Sequence, residues 1–255
     1  MSIPIEEFAV FVAIGFAAQL VDGALGMAYG LICTSVLLGA GIPPAAASAS
    51  VHTAEIFTTG VSGFSHWRLG NVDRALFWRL AIPGVVGGVI GAIALAAIPA
   101  KMTKPFVSLY LLVMGAVILA KALRSRPSAP ATTHNIWPVG LAGGGLDAIG
   151  GGGWGAMVTS TLIGWGINPR HAIGTSNAVE FFVATTIAAT FVAAIGFSQW
   201  PVIAGLVVGG VMAAPFAAYV TRLVPAKPLM LLVGVIVVGV SLMDLYRAFR
   251  ALTAP

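Results

Sequence analysis

Charge is what this chain has least of. Asp, Glu, Lys and Arg make up only 8% of its 255 residues, against about 25% in soluble domains. That is too little polar material to coat a water-soluble body of this length, so a free-standing soluble fold is excluded. Cysteine is nearly absent too. Cys33 stands alone in an apolar run, which excludes a disulfide framework and a CxxC metal or redox pair and leaves an inert buried thiol. No GK[ST] follows a glycine-rich loop, so an ATP-driven machine is excluded. The four histidines, His52, His66, His134 and His171, have no metal or haem spacing. The net charge of +5 traces no basic face, so nucleic acid is not an expected partner. The opening MSIPIEEF has two acids and no Lys or Arg. That is the wrong start for a cleaved signal peptide, and the first apolar stretch is expected to remain in the mature protein.

What is present is apolar. Hydrophobic residues make up 58% of the chain and mean hydropathy is +0.99. The expected class is an all-α, polytopic integral membrane protein in a cell inner (cytoplasmic) membrane, with the lipid bilayer as its surroundings. Apolar runs long enough to span a bilayer cover about residues 44–65, 75–98, 104–122, 170–195, 201–221 and 228–246. Two further stretches, 8–40 and 137–165, are each interrupted by glycine and an aspartate. Either could be a broken helix, a re-entrant hairpin or two tilted spans.

Those two stretches repeat each other. LVDGALGMAYGLICTSVLLGAGIPP holds Asp22, and GLDAIGGGGWGAMVTSTLIGWGINP holds Asp147. ASASVHTAE ends at Glu55 and AIGTSNAVE at Glu180. In this register Gly26 pairs with Gly151, Thr34 and Ser35 with Thr159 and Ser160, and His52 with Asn177. After a one-residue slip, IPAK (98–101) meets VPAK (224–227). Four of the eight acids fall in these matched pairs. The chain divides into repeat one (5–122), a linker (123–136) and repeat two (137–250), together one transmembrane transporter domain with about 8–10 membrane segments. Each half crosses an odd number of times, so the repeats are inverted. The side richer in Lys and Arg is expected to be cytoplasmic, with both termini outside. Trp67, Trp78, Trp137 and Trp200 fall near span ends, as an aromatic belt requires.

Matched interrupted segments are the sequence pointer to a transport site. A carboxylate in the bilayer must face a cavity or a partner. Asp22 and Asp147 therefore read as coupling groups, as caps of the short helices that follow them, or as both. Glu55 and Glu180 read as proton carriers or as neutral braces between the halves. Gln19, Gly26, Ser50, His52, Gly152, Trp154, Thr175, Ser176 and Asn177 are the candidate substrate-binding set: amides, hydroxyls, imidazole and indole able to hydrogen-bond an oxyanion, or to glue helices together. Gly84, Gly88 and Gly91 have the spacing of a tight helix crossing.

The glycine-rich openings, the PPAAA and NPRHAIGTS turns and the segment PGVVGGVIGA resemble the sulfite exporter TauE/SafE family over nearly the whole chain. The resemblance implies a secondary transporter of a small anion: sulfite, thiosulfate, sulfoacetate or a related sulfur oxyanion or organosulfonate. With that cargo, the four acids imply protons as the coupling ion, sodium being the alternative. Without it, the same acids fit a cation carrier equally well, and the alternative function is a proton- or sodium-coupled carrier of a metal cation or small carboxylate. A membrane enzyme or assembly factor is the rival from another class, and no nucleophile–base pair supports it. No cofactor is expected. A homodimer is left open. Access is expected to alternate as one half rocks against the other.

Overall fold

The computed structural model describes residues 5–123, 135–196, 199–223 and 226–253. Most of the linker, including Arg124 and Arg126, lies outside them. Every regular element among the described residues is helical: α1 (Ile5–Leu25), α2 (Tyr29–Gly39), α3 (Pro44–Arg68), α4 (Arg74–Ala97), α5 (Ala100–Leu123), α6 (Trp137–Gly150), a π-helical turn (Gly155–Thr159) leading into α7 (Ser160–Gly164), α8 (Pro169–Ile195), α9 (Trp200–Leu223) and α10 (Ala226–Thr253).

The two interrupted stretches are two broken pairs. α1 stops at Leu25 and α2 starts at Tyr29. α6 stops at Gly150 and the π turn starts at Gly155. The causes are local. Gly26 (φ +67) and Ala28 (φ +104) leave the right-handed region at the first break, and Gly151, Gly152 and Gly153 (φ +66, +144 and +135) leave it at the second. Positive φ is cheap only for glycine.

Among the described residues, four helices are long and apolar enough to cross a membrane: Arg74–Ala97, Ala100–Leu123, Pro169–Ile195 and Lys227–Arg250. α3 has the length but is not among them, because Ser48, His52, Glu55 and Thr59 form a polar stripe along its buried side. Its other face carries Phe57, Val61, Phe64 and Trp67, each at least half exposed, as a lipid-facing surface requires. Trp78, Trp137 and Trp200 are also exposed near helix starts.

Packing gives the direction of the halves. α3 lies against its repeat-mate α8, with Gly60 beside Phe181 and Gly63 beside Ala178. One index rises as the other falls, so the pair is antiparallel. α5 and α10 do the same, with Gly115 beside Val238 and Leu119 beside Gly234. A two-fold axis across the helices puts equivalent helices antiparallel, which is an inverted repeat. The broken helices are exchanged: α1 runs along α9 of the other half, and α6 along α4. Both pairs are parallel and close. Gly15 meets the Leu206 backbone, and Gly140 meets Pro83.

The first pair is a hairpin. The C-terminal carbonyls of α2 accept from Lys104 Nζ (to Leu38 O, 3.2 Å) and an Arg247 guanidinium nitrogen (to Gly39 O, 3.1 Å). Cations there offset the negative end of the helix. Lys104 begins α5 and Arg247 ends α10, so α2 returns toward the side on which α1 and α9 begin.

Candidate functional site

The two breaks meet at the middle of the molecule. Gly30, just past the first, lies against Gly152 inside the second. A Cβ on Gly30 would stand 2.5 Å from Gly152 Cα and 2.8 Å from Glu55 Oε1. Thr34 Oγ1 donates to the carbonyl of Gly151. Tyr110 of α5 donates its hydroxyl to the carbonyl of Gly152 at 3.1 Å. Each tip is thus held by the other half or by a neighbouring span.

The aspartates sit one turn before the breaks and act across them. Asp22 Oδ1 accepts from the Tyr29 amide at 3.2 Å, and Asp147 Oδ1 accepts from the Trp154 amide at 2.9 Å. The separation is seven residues in both halves, so each carboxylate caps the helix on the far side of its gap. The capping role expected from sequence is present twice.

The symmetry ends at the second oxygen of Asp147. Its Oδ2 lies 3.2 Å from His52 Nε2, and neither side chain is exposed to solvent. His52 Nδ1 lies 2.8 Å from the carbonyl of Ser48, one turn earlier on α3, and 3.2 Å from Ser48 Oγ. Ser48 Oγ itself donates to the carbonyl of Ala148 on α6 at 2.7 Å. Glu55 Oε2 stands 3.9 Å from the same His52 Nε2 and is buried without a hydrogen-bond partner. Glu55 also lies within electrostatic reach of Asp22, Asp147 and Glu180, so the four matched acids form one cluster. His52 is the imidazole set among them.

The remaining predicted residues scatter. Trp154 is fully buried, and its indole donates to the carbonyl of Ser176 at 3.2 Å. The Ser176 hydroxyl accepts from Thr159, in the π turn, at 2.7 Å. Asn177, the repeat-mate of His52, turns instead to Ser62 on α3 at 2.8 Å. Thr175 accepts from the Asp73 amide at 2.9 Å, at the α3–α4 loop. Ser50 back-bonds to the carbonyl of Ala46 at 2.7 Å. It lines a small pocket with Ala49, Thr53 and Ile203, on a different face of α3 from His52. Gln19 is buried in α1 with Oε1 unpartnered. Gly26 packs under Ile173. Ser35 and Ser160, a repeat pair, both bury hydroxyls without partners. Among the described residues no group of three or more His, Cys, Asp or Glu could hold a metal ion.

Two contributors were not singled out from the sequence. Tyr29 had a signal, since it is the repeat-mate of Trp154. Tyr110 had none, because Ile236 stands opposite it in the second half and no motif surrounds it.

Residues 11–243 match the family model described as "Sulfite exporter TauE/SafE". A curated relative, "Probable membrane transporter protein YtnM" of Bacillus subtilis (strain 168), is 39% identical over 258 residues, covering 98% of this chain and 86% of that protein. No solved structure matches. The chain belongs to the sulfite exporter TauE/SafE family and is a multi-pass membrane protein of a transporter family.

Proposed function

We propose that this TauE/SafE member is a secondary transporter that carries a small sulfur-containing anion across the cytoplasmic membrane by alternating access, coupled to protons. One observation carries the reading: the two helix breaks touch each other among four buried or half-buried carboxyls. Interrupted helices that expose backbone at membrane depth are tolerated only where they line a site. The polar groups at the breaks and on the helices beside them include those an oxyanion needs: backbone amides, and the hydroxyls of Ser35, Ser160 and Ser176, which have hydrogens to donate. The family's sulfur chemistry supplies the cargo class. Four carboxylates would repel an anion, so its entry favours their protonated forms, and proton and anion then bind cooperatively.

The test is uptake into proteoliposomes of sulfite, thiosulfate, sulfoacetate and small carboxylates, each with and without an imposed pH gradient. Accumulation of at least one sulfur anion that collapses with the gradient is the expected result. Uptake of none of them, with gradient-driven uptake of a metal cation instead, would replace this reading with the cation carrier.

A further inference from the structure

We propose that His52 is the proton-handling residue of the site: a single proton is shared between His52 Nε2 and Asp147 Oδ2, and His52 relays it to Glu55. The transport consequence rests on the function proposed above. The proton count rests on hydrogen-bond geometry alone.

A carbonyl oxygen only accepts, so His52 Nδ1, 2.8 Å from the carbonyl of Ser48, carries a hydrogen. The nearby Ser48 hydroxyl has committed its own hydrogen to Ala148 O at 2.7 Å, so it too can only accept from Nδ1. With Nδ1 protonated, a neutral imidazole leaves Nε2 as a bare acceptor. Facing it at 3.2 Å is Asp147 Oδ2, also an acceptor when ionised. Two acceptors do not bond, so one hydrogen lies between them. It belongs either to a carboxylic acid donating to imidazole or to an imidazolium donating to a carboxylate. Both forms leave the pair with zero net charge, which suits a site with no solvent exposure on either partner. Asp147 Oδ1 stays engaged by the Trp154 amide throughout.

The second station is Glu55. Its Oε2 is buried, unpartnered and 3.9 Å from the same Nε2. His52 thus stands between an oxygen it bonds and an oxygen that lacks a partner. Because His52 and Glu55 share α3, exchanging one for the other needs two movements: a shift of α3 against α6 that parts His52 from Asp147, and a turn of the Glu55 side chain onto Nε2. In the transfer, the proton leaves the Asp147–His52 contact and arrives on the Glu55 carboxylate, and Asp147 becomes a bare carboxylate. The titratable groups around the pair are Glu55 on α3, Tyr110 on α5, Glu180 on α8, and Asp22 beyond them on α1. Tyr29 and Cys33 on α2 stand nearer Glu55. Among the described residues the other half has no such device. Asn177 occupies the place of His52, cannot titrate and bonds Ser62. The relay is one-sided in a protein built from two like halves.

Two measurements test this. In full-length protein labelled with ¹⁵N-histidine, one of only four histidines belongs to His52, and His52→Asn identifies its signals by difference. The expected result is an Nδ1 that keeps its hydrogen at every pH at which the fold persists, and an Nε2 whose shift moves on replacing Asp147 with Asn. An Nδ1 without hydrogen, or an Nε2 signal indifferent to Asp147→Asn, overturns the proton assignment whatever the protein carries. In proteoliposomes, His52→Asn and Asp147→Asn should lower the gradient-driven accumulation ratio of the anion to unity. That equilibrium readout does not depend on how fast either variant works. A ratio still at the wild-type value in either variant overturns the relay. If the wild type moves no anion, the proposed function fails alone, and the nitrogen spectra still decide where the proton sits.

Discussion

Gly30 and Gly152 touch backbone to backbone, each at the tip of a helix broken in a different half of the chain. The contact leaves no space for a side chain. Gly152 also has φ +144, which L residues rarely adopt. Replacing it with Ala should add overpacking of about 1–3 kcal/mol to backbone strain of about 1–3 kcal/mol. Thermal unfolding in detergent should show a clear fall in midpoint for Gly152→Ala. Gly41→Ala is the control in the helix-connecting loop, where φ is also positive but a Cβ meets nothing within 4 Å. Equal losses in the two variants would show that backbone strain alone, and not contact between the tips, sets the cost.

The gap-spanning caps predict a pair of matched mutants. Asp22→Ala and Asp147→Ala each remove the acceptor for the first amide of the following helix, a loss of about 0.5–2 kcal/mol. Asp147→Ala should be the costlier, because it also strips His52 of its partner. Asn at either position keeps the cap and should recover most of the stability. Melting curves of the four variants decide this, and equal losses at 22 and 147 would contradict the asymmetry.

The polar residues of α3 and α8 should separate by face. Ser176→Ala and Asn177→Ala should each weaken anion binding by about 0.5–1.5 kcal/mol, the net worth of a hydrogen bond. Ser50→Ala should leave affinity unaltered, because its hydroxyl already bonds Ala46 O on another face. Titration of a sulfur anion by calorimetry reads all three. Unaltered affinity in both Ser176→Ala and Asn177→Ala would mean those groups only hold helices together.

Glu55→Gln and Glu180→Gln imitate protonated carboxyls. If these acids couple transport, anion exchange should persist while accumulation driven by a pH gradient is lost. With the relay placed at His52, Glu55→Gln should show the larger loss. Gradient-driven uptake at the wild-type rate in both variants would remove glutamate from the coupling path.

Cys33 is a built-in reporter. It is wholly buried on α2, one turn beyond the first break. A maleimide should fail to label the folded protein and should label it fully after denaturation in SDS. Labelling of the folded form at the rate of an open thiol would contradict the packing of the first hairpin.

Much of this architecture was legible because the chain states it twice. Six full-length helices, two interrupted stretches and the pairing of Asp22 with Asp147 follow from apolar run length, glycine placement and repetition. Periodicity and composition do not encode which helix packs on which, so the exchange of α1 and α6 between the halves was not legible. Nor was the turn of the repeat-mates His52 and Asn177 to different partners. Residue type marks both as polar and buried, and only the placement of α3 against α6 gives the imidazole an aspartate. Ser50 misled for a related reason. A hydroxyl near charged neighbours in sequence lies on another side of a helix when the spacing is two or five residues.

The exchanged helices have a mechanical consequence. α1 is locked to α9, and α6 to α4, by glycine-mediated close packing. The point at which the chain duplicates is therefore not a plane along which it can shear. A rigid rotation of residues 5–122 against 137–250 would tear both of those seams open. The remaining contacts between the halves include those of α3 with α8 and of α5 with α10, where repeat-mates meet antiparallel. Any rigid unit that keeps both seams whole must draw helices from both repeats, and a cut in the 124–134 linker would leave the two repeats joined through them.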